Sequence, residues 1–498
     1  MGIRFQDTMA GKVIDFEPLE PGLVRMYNCG PTVYTYAHIG NFRAFLLADL
    51  IRRLCEFRGL EVRQVMNITD VGHMTVDTDD AGEDKMEKAV RQEGKSAFDI
   101  ARFYEAAFLA DLDALGIQRA QVYPRASDHV AEMIELVAAL LEKGIAYQAG
   151  DAILFDISKY PEYGRLSHKR LEDLQAGAGG RLTGEMLDQK RNPGDFRLWK
   201  VDPAHVLQWD SPWGRGYPGW HLECSVMARK YLGDTLDIHT GGEDNIFPHH
   251  ESERAQIEPV TGKPFVRYWL HTRHLMAEGT KMSKSLGNFY TVHGLMEEGF
   301  DPIAIRYLLI STHYRAPANF TKEGLKGAWE SVVRIRQFVR RMEEAAGGPG
   351  GASGSGAAPT SGTAAAPEAA AGGAPEGSIA PALSDFEQTF GEAVDDDLNM
   401  SKAFAAVFDF MREVNRLEPT GGEARRAAEA IRRADRILGL LAEEKAGEED
   451  AAIDALVAER QAARKGRDFA RSDQIRDELA TRGIVLEDTP QGPRWYRK

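Results

Sequence analysis

An alternation of strand-like and helical segments from residue 13 to about residue 320 constrains the fold of this chain more than any other feature. Such an alternation predicts a mostly parallel β-sheet with helices on its faces. The runs from Leu23 to Tyr27 and from Thr32 to Tyr36 are strand-like, and an apolar helical period follows from Phe42 to Leu54. The segment His38-Ile39-Gly40-Asn41 should therefore open a helix, where backbone N–H groups and the helix dipole favour an anion such as a phosphate.

A second segment suited to phosphates lies far along the chain, at Lys281-Met282-Ser283-Lys284-Ser285. Its two lysines and two hydroxyls, followed by Gly287, suit a mobile clamp on a polyphosphate. A further strand from Val62 to Ile68 runs into Thr69-Asp70 at the expected carboxyl edge of the sheet, where open α/β sheets bind ligands. Taken alone, each short motif is more often an ordinary basic turn or a histidine at a helix start.

The rest of the chain is predicted to be mainly helical, with one long interruption. Helical periodicity covers Ser96 to Leu141 on either side of Pro124, where Ile100, Phe103, Ala107 and Ala110 recur, and a long amphipathic helix covers Glu323 to Met342. Residues 345–382 are almost wholly Ala, Gly, Pro, Ser and Thr, so they bury too little apolar surface to order and are predicted to be a flexible linker. A small helical bundle should follow, and then a helical hairpin that ends in a short strand or extended tail.

The composition limits the class of protein. The net charge of −15 argues against a protein that coats nucleic acid through bulk charge, but it does not exclude a local basic groove. Only three cysteines are present, Cys29, Cys55 and Cys224, which speaks against a disulfide framework. No apolar run is long enough to span a bilayer, and the N-terminal residues lack the apolar centre of a secretory signal, so a cytoplasmic protein without membrane contact is expected.

Two of the cysteines belong to a candidate metal site. Cys29 follows the first strand, Cys224 ends the segment Gly219-Trp220-His221-Leu222-Glu223-Cys224, and His249 and Glu253 lie shortly after Pro248. A helix that starts near Pro248 would put His249 and Glu253 on one face, so two thiolates, one imidazole and one carboxylate could hold Zn²⁺. The alternative is open at this point, because isolated cysteines are usually small buried apolar residues and paired histidines are often on the surface.

Read together and in order, five segments closely resemble the cysteinyl-tRNA synthetase family of class I aminoacyl-tRNA synthetases. They are Asn28-Cys29-Gly30-Pro31-Thr32-Val33-Tyr34, the His38 motif, Gly219-Trp220-His221-Leu222-Glu223-Cys224, Phe247-Pro248-His249-His250-Glu251 and the Lys281 motif. The resemblance covers essentially the whole chain apart from the linker. It implies an α/β fold, in which a Rossmann-like, doubly wound parallel-sheet catalytic domain is followed by C-terminal α-helical bundle domains. The expected domains are a catalytic domain with a zinc site and a connective insertion (1–320), a stem helix (321–344), the linker (345–382), a helical bundle (383–445) and an anticodon-side tRNA-binding region (446–498).

The resemblance also implies a reaction. L-Cysteine would attack the α-phosphorus of ATP to form cysteinyl-adenylate, and the 3′-terminal ribose of tRNA(Cys) would then capture the cysteinyl group. The enzyme would contribute mainly positioning and charge stabilisation. One Zn²⁺ per chain would bind the substrate thiolate and so reject serine without an editing domain, because serine offers only a harder and far less acidic hydroxyl. The family also suggests a monomer.

The site residues are implied by the same resemblance. The zinc ligands would be Cys29, Cys224, His249 and Glu253. The residues lining the cysteine pocket would be Thr69, Trp220 and His221, for which the ordinary alternatives are a strand-end hydroxyl, a core aromatic and a structural hydrogen bond. The residues that bind ATP, which would enter with Mg²⁺, would be His38, Gly40, Asn41, Gly242, Asp244 and Lys284. The residues that act on the reacting phosphates would be His38, Asn41, Lys281 and Lys284.

Two rival functions share parts of this pattern. A ligase that joins cysteine to an aminosugar in mycothiol synthesis would use the same activation chemistry and zinc site, but it needs no tRNA-binding tail like the one that ends in Pro490-Gln491-Gly492-Pro493-Arg494-Trp495. A non-catalytic zinc protein that binds tRNA is disfavoured by the intact His38 and Lys281 motifs. A zinc hydrolase is less consistent still, because four protein ligands leave no obvious position for water; whether Glu253 stays bound when a substrate thiolate arrives is open from the spacing.

The sequence departs from the family pattern in two places. After Thr69-Asp70-Val71, residues 72–84 form a local insertion of the kind that surface loops tolerate, and the role of His73 is open. Thr240 stands where many relatives have glycine. Neither departure touches the implied zinc ligands.

Overall fold

The computed structural model describes residues 2–71, 85–170, 190–282, 287–347, 378–441, 448–466, 468–481, 484–489 and 492–497. It divides into two compact units, Met1–Leu440 and Leu441–Lys498. The first elements of the first unit, in chain order, are β1 (Arg4–Asp7), β2 (Lys12–Asp15), β3 (Leu23–Asn28), α1 (Ile39–Phe57), β4 (Glu61–Met66), α2 (Lys85–Glu93), α3 (Ala97–Ala114), α4 (Val130–Glu142), β5 (Ala146–Ala149), β6 (Ala152–Phe155), β7 (Phe196–Val201) and β8 (Gly216–Pro218). The elements that complete this unit are α5 (Trp220–Leu232), β9 (Leu236–Gly242), α6 (Glu251–Thr261), β10 (Val266–Thr272), β11 (Leu275–Ala277), β12 (Thr280–Lys281), α7 (Val292–Glu297), α8 (Pro302–Ser311), β13 (Ala318–Phe320), α9 (Lys322–Ala345), α10 (Ala380–Asp395), α11 (Met400–Leu417) and α12 (Gly421–Leu438).

A four-stranded parallel sheet in the order β10-β9-β3-β4 lies at the centre of the first unit. Six of the seven residues of β9 are buried, as expected for a parallel strand that is covered on both faces. The register places Asn28 opposite both Thr240 and Met66, so the carboxyl ends of three strands meet at one edge. The predicted parallel-sheet α/β fold is confirmed.

Helix α1 connects β3 to β4 and begins at this edge. The apolar residues Phe42, Phe45, Leu46 and Leu50 recur at the spacing of one helical face and are buried. The strand expected from Thr32 to Tyr36 is wrong, because Thr32 forms only an isolated bridge with Thr69 before the chain turns into the helix. The backbone N–H of Val33 donates to Thr69 O at 3.1 Å, and that of Thr69 donates to Pro31 O at 3.0 Å, so long-range bonds replace a strand ladder.

A second, antiparallel sheet in the order β5-β6-β7-β8 is inserted between β4 and β9. Its side chains share one hydrophobic core with the central sheet: Tyr27 and Val65 of the parallel strands pack in the same cluster as Leu198 and Trp199 of β7. This shared core fixes the insertion beside the strand ends.

Helices α9 to α12 complete the first unit. Helix α10 begins at Ala380 rather than after residue 382, where the linker was expected to end, because proline is tolerated in the first turn of a helix and Pro381 occupies it. Helix α10 ends before Asp397 and Leu398, which both have positive φ, so the expected bundle contains a sharp turn between α10 and α11.

The second unit contains the helices α13 (Glu448–Lys465) and α14 (Phe469–Thr481) and the strands β14 (Ile484–Thr489) and β15 (Gly492–Arg497). The two strands pair as an antiparallel hairpin, so the expected short strand or tail is a complete hairpin. The core of this unit is Ile453, Val457, Ile475, Leu479 and Ile484. Across the described parts of both units, no helix has the length and apolar character to cross a membrane.

Candidate active site

The His38 motif forms the first turn of α1. The Nδ1 atom of His38 accepts a hydrogen bond from the backbone N–H of Asn41 at 3.2 Å, and the side-chain oxygen of Asn41 accepts from the backbone N–H of His38 at 3.1 Å. This reciprocal cap fixes the start of the helix, whose dipole favours an anion. A Cβ atom on Gly40 would come within 2.9 Å of the His38 ring, so a side chain here would displace that ring from its capping position.

The base of the Lys281 motif adjoins the His38 motif. The backbone N–H of Ile39 donates to Tyr290 O at 2.9 Å, His38 forms an isolated bridge with Thr291, and the His38 ring meets Phe289 edge-to-face at 5.4 Å. Lys281 is exposed at the end of β12, whereas Lys284 lies outside the described residues. The Asn288 amide donates to Lys281 O at 3.2 Å and to Thr280 Oγ1 at 2.9 Å, which fastens one end of the motif to its strand.

The third candidate nucleotide-binding element lies at the end of β9. Gly242 closes the strand, and its N–H donates to the side chain of Asn245 at 3.0 Å, while a Cβ atom at Gly242 would come 2.3 Å from Asp244 Oδ1. Beside it, the Thr240 hydroxyl accepts from the Asn28 amide at 2.6 Å. Thr240 is therefore part of a buried hydrogen-bonded pair between β3 and β9.

The four implied zinc ligands lie together at the same edge of the sheet. The donor atoms of Cys29, Cys224, His249 and Glu253 are all within 4.8 Å of one another. The two Sγ atoms are 3.8 Å apart without a disulfide, and His249 Nε2 is 3.1 Å from Glu253 Oε1. The four residues come from different elements: Cys29 directly follows β3, Cys224 begins the second turn of α5, His249 precedes α6 and Glu253 lies in α6.

A second group overlaps the first and was missed from the sequence. It consists of Cys29, His239, His250 and Glu253. His250 Nε2 lies 3.1 Å from Cys29 Sγ, and its Nδ1 lies 2.8 Å from His271 Nε2. The sequence shows His249 and His250 side by side but does not indicate which imidazole faces a thiol.

The thiols and imidazoles of this cluster have pKa values that favour their neutral forms. Burial, reinforced by the neighbouring thiol and by Glu253, raises the pKa of Cys29 well above its usual value, and burial likewise raises the pKa of Cys224. Burial and neighbouring imidazoles lower the pKa of His250 well below its usual value, and the pKa of His271 falls to about 3. A divalent cation would reverse the effect on the thiols, because it stabilises thiolates while neutral imidazoles remain available as ligands.

Two of the three residues expected to line a cysteine pocket, Trp220 and His221, contact His249 of the cluster. The Trp220 ring lies 4.3 Å from the His249 ring at 31°, and His221 Nδ1 lies 2.8 Å from His249 Nδ1. The Thr69 hydroxyl donates to Glu223 Oε2 at 2.7 Å. Trp220 and His221 are thus in a position to orient the His249 imidazole.

Thr69 is held by a second residue that the sequence did not reveal. The Asn67 amide donates to Thr69 Oγ1 at 3.0 Å, and its carbonyl accepts the backbone N–H of Gly30 at 2.8 Å. A Cβ atom at Gly30 would come within 1.7 Å of the backbone carbonyl oxygen of Asn67, so this close approach requires glycine. The pattern Cys-Gly-Pro offered the only hint of such an approach.

Solved class I synthetases share this fold. A Mycobacterium tuberculosis methionyl-tRNA synthetase bound by methionyl-adenylate aligns with a TM-score of 0.58 at 14% identity, over 90% of this chain and 96% of that one. The ternary complex of Agrobacterium radiobacter K84 agnB2 LeuRS, tRNA and LeuAMS aligns with a TM-score of 0.59 at 12% identity, over 86% of this chain and 85% of that one. The fold is therefore that of class I aminoacyl-tRNA synthetases.

Sequence comparisons narrow the class. Residues 15–330 match the family model for the tRNA synthetases class I (C) catalytic domain, residues 389–442 match a DALR domain, and residues 446–495 match the cysteinyl-tRNA ligase anticodon binding domain. Cysteine–tRNA ligase of Symbiobacterium thermophilum is 44% identical over 100% of both chains, and that of Geobacillus thermodenitrificans is 41% identical over 99% of both. The chain belongs to the cysteinyl-tRNA synthetase family, which confirms the resemblance drawn from the five motifs.

Proposed function

We propose that this chain is a cysteine–tRNA ligase, which activates L-cysteine with ATP and transfers it to the 3′-terminal ribose of tRNA(Cys). The observation that carries the proposal is the cluster of two thiols, an imidazole and a carboxylate beside Trp220 and Thr69. Its support is the full-length similarity to relatives named cysteine–tRNA ligase.

We assign Cys29, Cys224, His249 and Glu253 to one Zn²⁺. The donor types fit the ion, which takes Cys, His and carboxylate ligands, and the two thiols in an otherwise buried cluster have little other reason to lie 3.8 Å apart. When bound, the ion would act as a Lewis acid that favours the thiolate of cysteine over the hydroxyl of serine. Shape alone would discriminate weakly between these two substrates, by roughly 1–3 kcal/mol.

The pocket residues would hold the rest of the amino acid. With its own proton directed at Glu223, the Thr69 oxygen can accept a hydrogen bond from the substrate ammonium group. Trp220 and His221 fix the His249 ring from two sides and so keep the substrate thiolate in one place. Correct placement of the carboxylate is the main contribution expected of a site that forms no covalent bond with its substrate.

The two motifs would act on ATP, which enters with Mg²⁺. We assign His38, Gly40 and Asn41 at the start of α1 to the triphosphate, and Gly242 and Asp244 at the end of β9 to the nucleoside. Lys281 and Lys284 would neutralise the charge that develops on the phosphates as pyrophosphate leaves. The start of α1 at the carboxyl edge of the sheet supports this assignment, because the helix dipole favours an anion there.

The acceptor is assigned to tRNA rather than to an aminosugar. The match of residues 446–495 to an anticodon binding domain favours this choice, because an aminosugar ligase would have no use for such a region. We also propose a monomeric state, a cytoplasmic location, where charged tRNA is used, and the domain limits expected from the sequence, except that the linker ends before Ala380, where α10 begins. Sedimentation of the purified chain would test the monomer.

The experiment that tests the proposal compares two cysteine substitutions. Cys224→Ser should lose most of the bound zinc and lower cysteine-dependent ATP–pyrophosphate exchange by at least about 100-fold, because it removes one ligand of the ion that positions the substrate. Cys55→Ser is the matched control, since Cys55 is as buried as Cys224 but lies in the last turn of α1. It should retain zinc and exchange.

The acceptor is tested in the same preparations. Wild-type protein should charge tRNA(Cys) with radiolabelled cysteine and should leave an aminosugar acceptor unmodified. Full zinc and full exchange in Cys224→Ser would refute the zinc assignment, and exchange without tRNA charging would refute the acceptor.

A further inference from the structure

Four aromatic rings form one surface cluster beside the two motifs, here called the aromatic patch: Tyr36, Phe103, Tyr104 and His293. Tyr36 is stacked on His293 at 5.5 Å with an angle of 11° between the ring planes. It also meets Tyr104 at 5.1 Å and Phe103 at 6.1 Å, both edge-to-face. Phe103 and Tyr104 in turn meet at 5.1 Å. The rings therefore form one continuous surface drawn from the loop before α1, from α3 and from α7.

The contacts within the patch hold Tyr36 and Tyr104 in place but leave about half of Phe103 exposed. The Tyr104 hydroxyl donates to Glu93 at 2.9 Å, which fixes that ring. Phe103 remains 49% exposed. The ammonium group of Lys95 lies 5.4 Å from the centre of the Phe103 ring and 3.3 Å from Glu93 Oε2, so an ion pair borders the exposed aromatic surface. An exposed aromatic ring is a surface on which the bases of single-stranded nucleic acid stack.

The position of the patch ties it to the reaction. Tyr36 lies two residues before His38, and His293 lies two residues after Thr291, which bridges His38. The patch therefore borders the place where both motifs meet. In the transfer step, the terminal ribose of the acceptor must reach the activated amino acid beside these motifs, so the nucleotides that precede it must cross the surrounding surface.

We propose that the aromatic patch stacks the unpaired 3′-terminal nucleotides of the tRNA, with Phe103 as the main stacking surface. This inference rests on the proposed function, because it assumes a tRNA acceptor. Stacking on Phe103 covers the exposed half of its surface, and an adjacent phosphate would exchange with Glu93 as the partner of Lys95. The rings Tyr36 and His293 support the surface from behind and link it to the first motif.

The test is a binding cycle with intact tRNA(Cys) and the same tRNA without its three 3′-terminal nucleotides, at one fixed salt concentration. Phe103→Ala should weaken binding of the intact tRNA by about 5- to 30-fold, the equivalent of roughly 1–2 kcal/mol for one stacked base, and should weaken binding of the shortened tRNA by less than about twofold. Phe103→Trp should restore binding. Thermal midpoints of both variants establish that they fold.

Phe98→Ala is the matched control. Phe98 lies on the same helix and is 42% exposed, but five residues correspond to about 140° around an α-helix, so it faces another direction. It should bind both tRNAs as the wild type does.

Three results would overturn the proposal. Phe103→Ala could weaken the binding of both tRNAs equally, which would indicate a contact with the duplex, or it could weaken the binding of neither. The wild type could also self-associate in a concentration-dependent way that Phe103→Ala abolishes, which would make the patch a contact between two copies. ATP–pyrophosphate exchange by the wild type is measured separately. Its absence would refute the proposed function, whereas the binding cycle refutes only the role of the patch.

Discussion

Asp111 offers a sharp test of the electrostatics of the first unit. It lies on α3 with only 5% of its surface exposed, and its Oδ2 atom has no hydrogen-bond partner among the described residues. Burial raises the pKa of Asp111 to about 6 from an ordinary value of 3.8, and His293 opposes only part of this rise. The folded protein therefore retains the proton of Asp111 at a pH where the unfolded chain has released it.

The sign and size of the effect follow from this shift. Because the folded-state pKa is raised, ionisation of Asp111 destabilises the fold progressively as the pH rises from about 4 to about 6, and the penalty is constant above that range. A shift of about two pKa units corresponds to about 3 kcal/mol at pH 7.5 and to about 1 kcal/mol at pH 4.5. Asp111→Asn removes the charge without changing the shape, so it should stabilise the protein by up to these amounts.

The assay is the apparent thermal midpoint of wild type and Asp111→Asn at pH 7.5 and pH 4.5. The gain at the higher pH should exceed that at the lower pH by roughly 2–4 °C, given the shift per kcal/mol in large domains. Asp113→Asn is the control, because its side chain is 63% exposed and pairs with Arg119 at 2.7 Å, so it should change the midpoint little at either pH. A gain for Asp111→Asn that is equal at both pH values, or a loss that grows with pH, would refute the reasoning.

Three further predictions concern other parts of the same unit. Arg306→Met should destabilise the fold by about 3–5 kcal/mol, seen as a lower thermal midpoint, because it takes away a partner 2.6 Å from the buried Asp49 carboxylate; an unchanged midpoint would contradict this. Asn288→Ala should reduce the rate of pyrophosphate exchange by about 10- to 100-fold at unchanged zinc content, since it unfastens the motif that begins at Lys281, and an unchanged rate would exclude that role. Addition of Zn²⁺ to zinc-free protein at pH 7.5 should release protons from Cys29 and Cys224, because burial raises the pKa of both thiols. Calorimetry in buffers of different ionisation enthalpy should show that Cys224→Ser releases about one proton fewer than the wild type. Equal release by the two proteins would count against the assigned ligands.

Much of the fold could be predicted because it depends on local apolar patterns. The alternation that produces β3, α1 and β4 is visible in the sequence, since each element buries a continuous face. The segment from Thr32 to Tyr36 was mispredicted because its structure depends on a distant partner, Thr69, which no local pattern indicates.

Helix α3 shows a subtler limit. The helical period that includes Ile100 and Phe103 is real, but the buried face contains Ile100, Ala101, Phe108 and Leu112, while Phe103 is exposed. An apolar residue near a helical period does not indicate by itself whether it faces the core or a ligand, and here this distinction separates packing from a candidate binding surface.

The candidate site could be predicted to the extent that residue types indicate its chemistry. Cys29, Cys224, His249 and Glu253 were identified from donor type and family resemblance, and the structure brings their donor atoms together. The supporting contacts of His250 with Cys29 and of Asn67 with Thr69 could not be predicted, because they depend on side-chain directions at the crowded edge of the sheet.

The most direct test of the central claim is ATP–pyrophosphate exchange with cysteine and with serine in parallel, with zinc determined on the same preparation. A cluster of four ligands for one ion predicts about one zinc per chain, and exchange that depends on cysteine and is negligible with serine. Equal exchange with serine would contradict selection through the thiolate, and bound zinc without any exchange would contradict the assignment of this chain as a ligase.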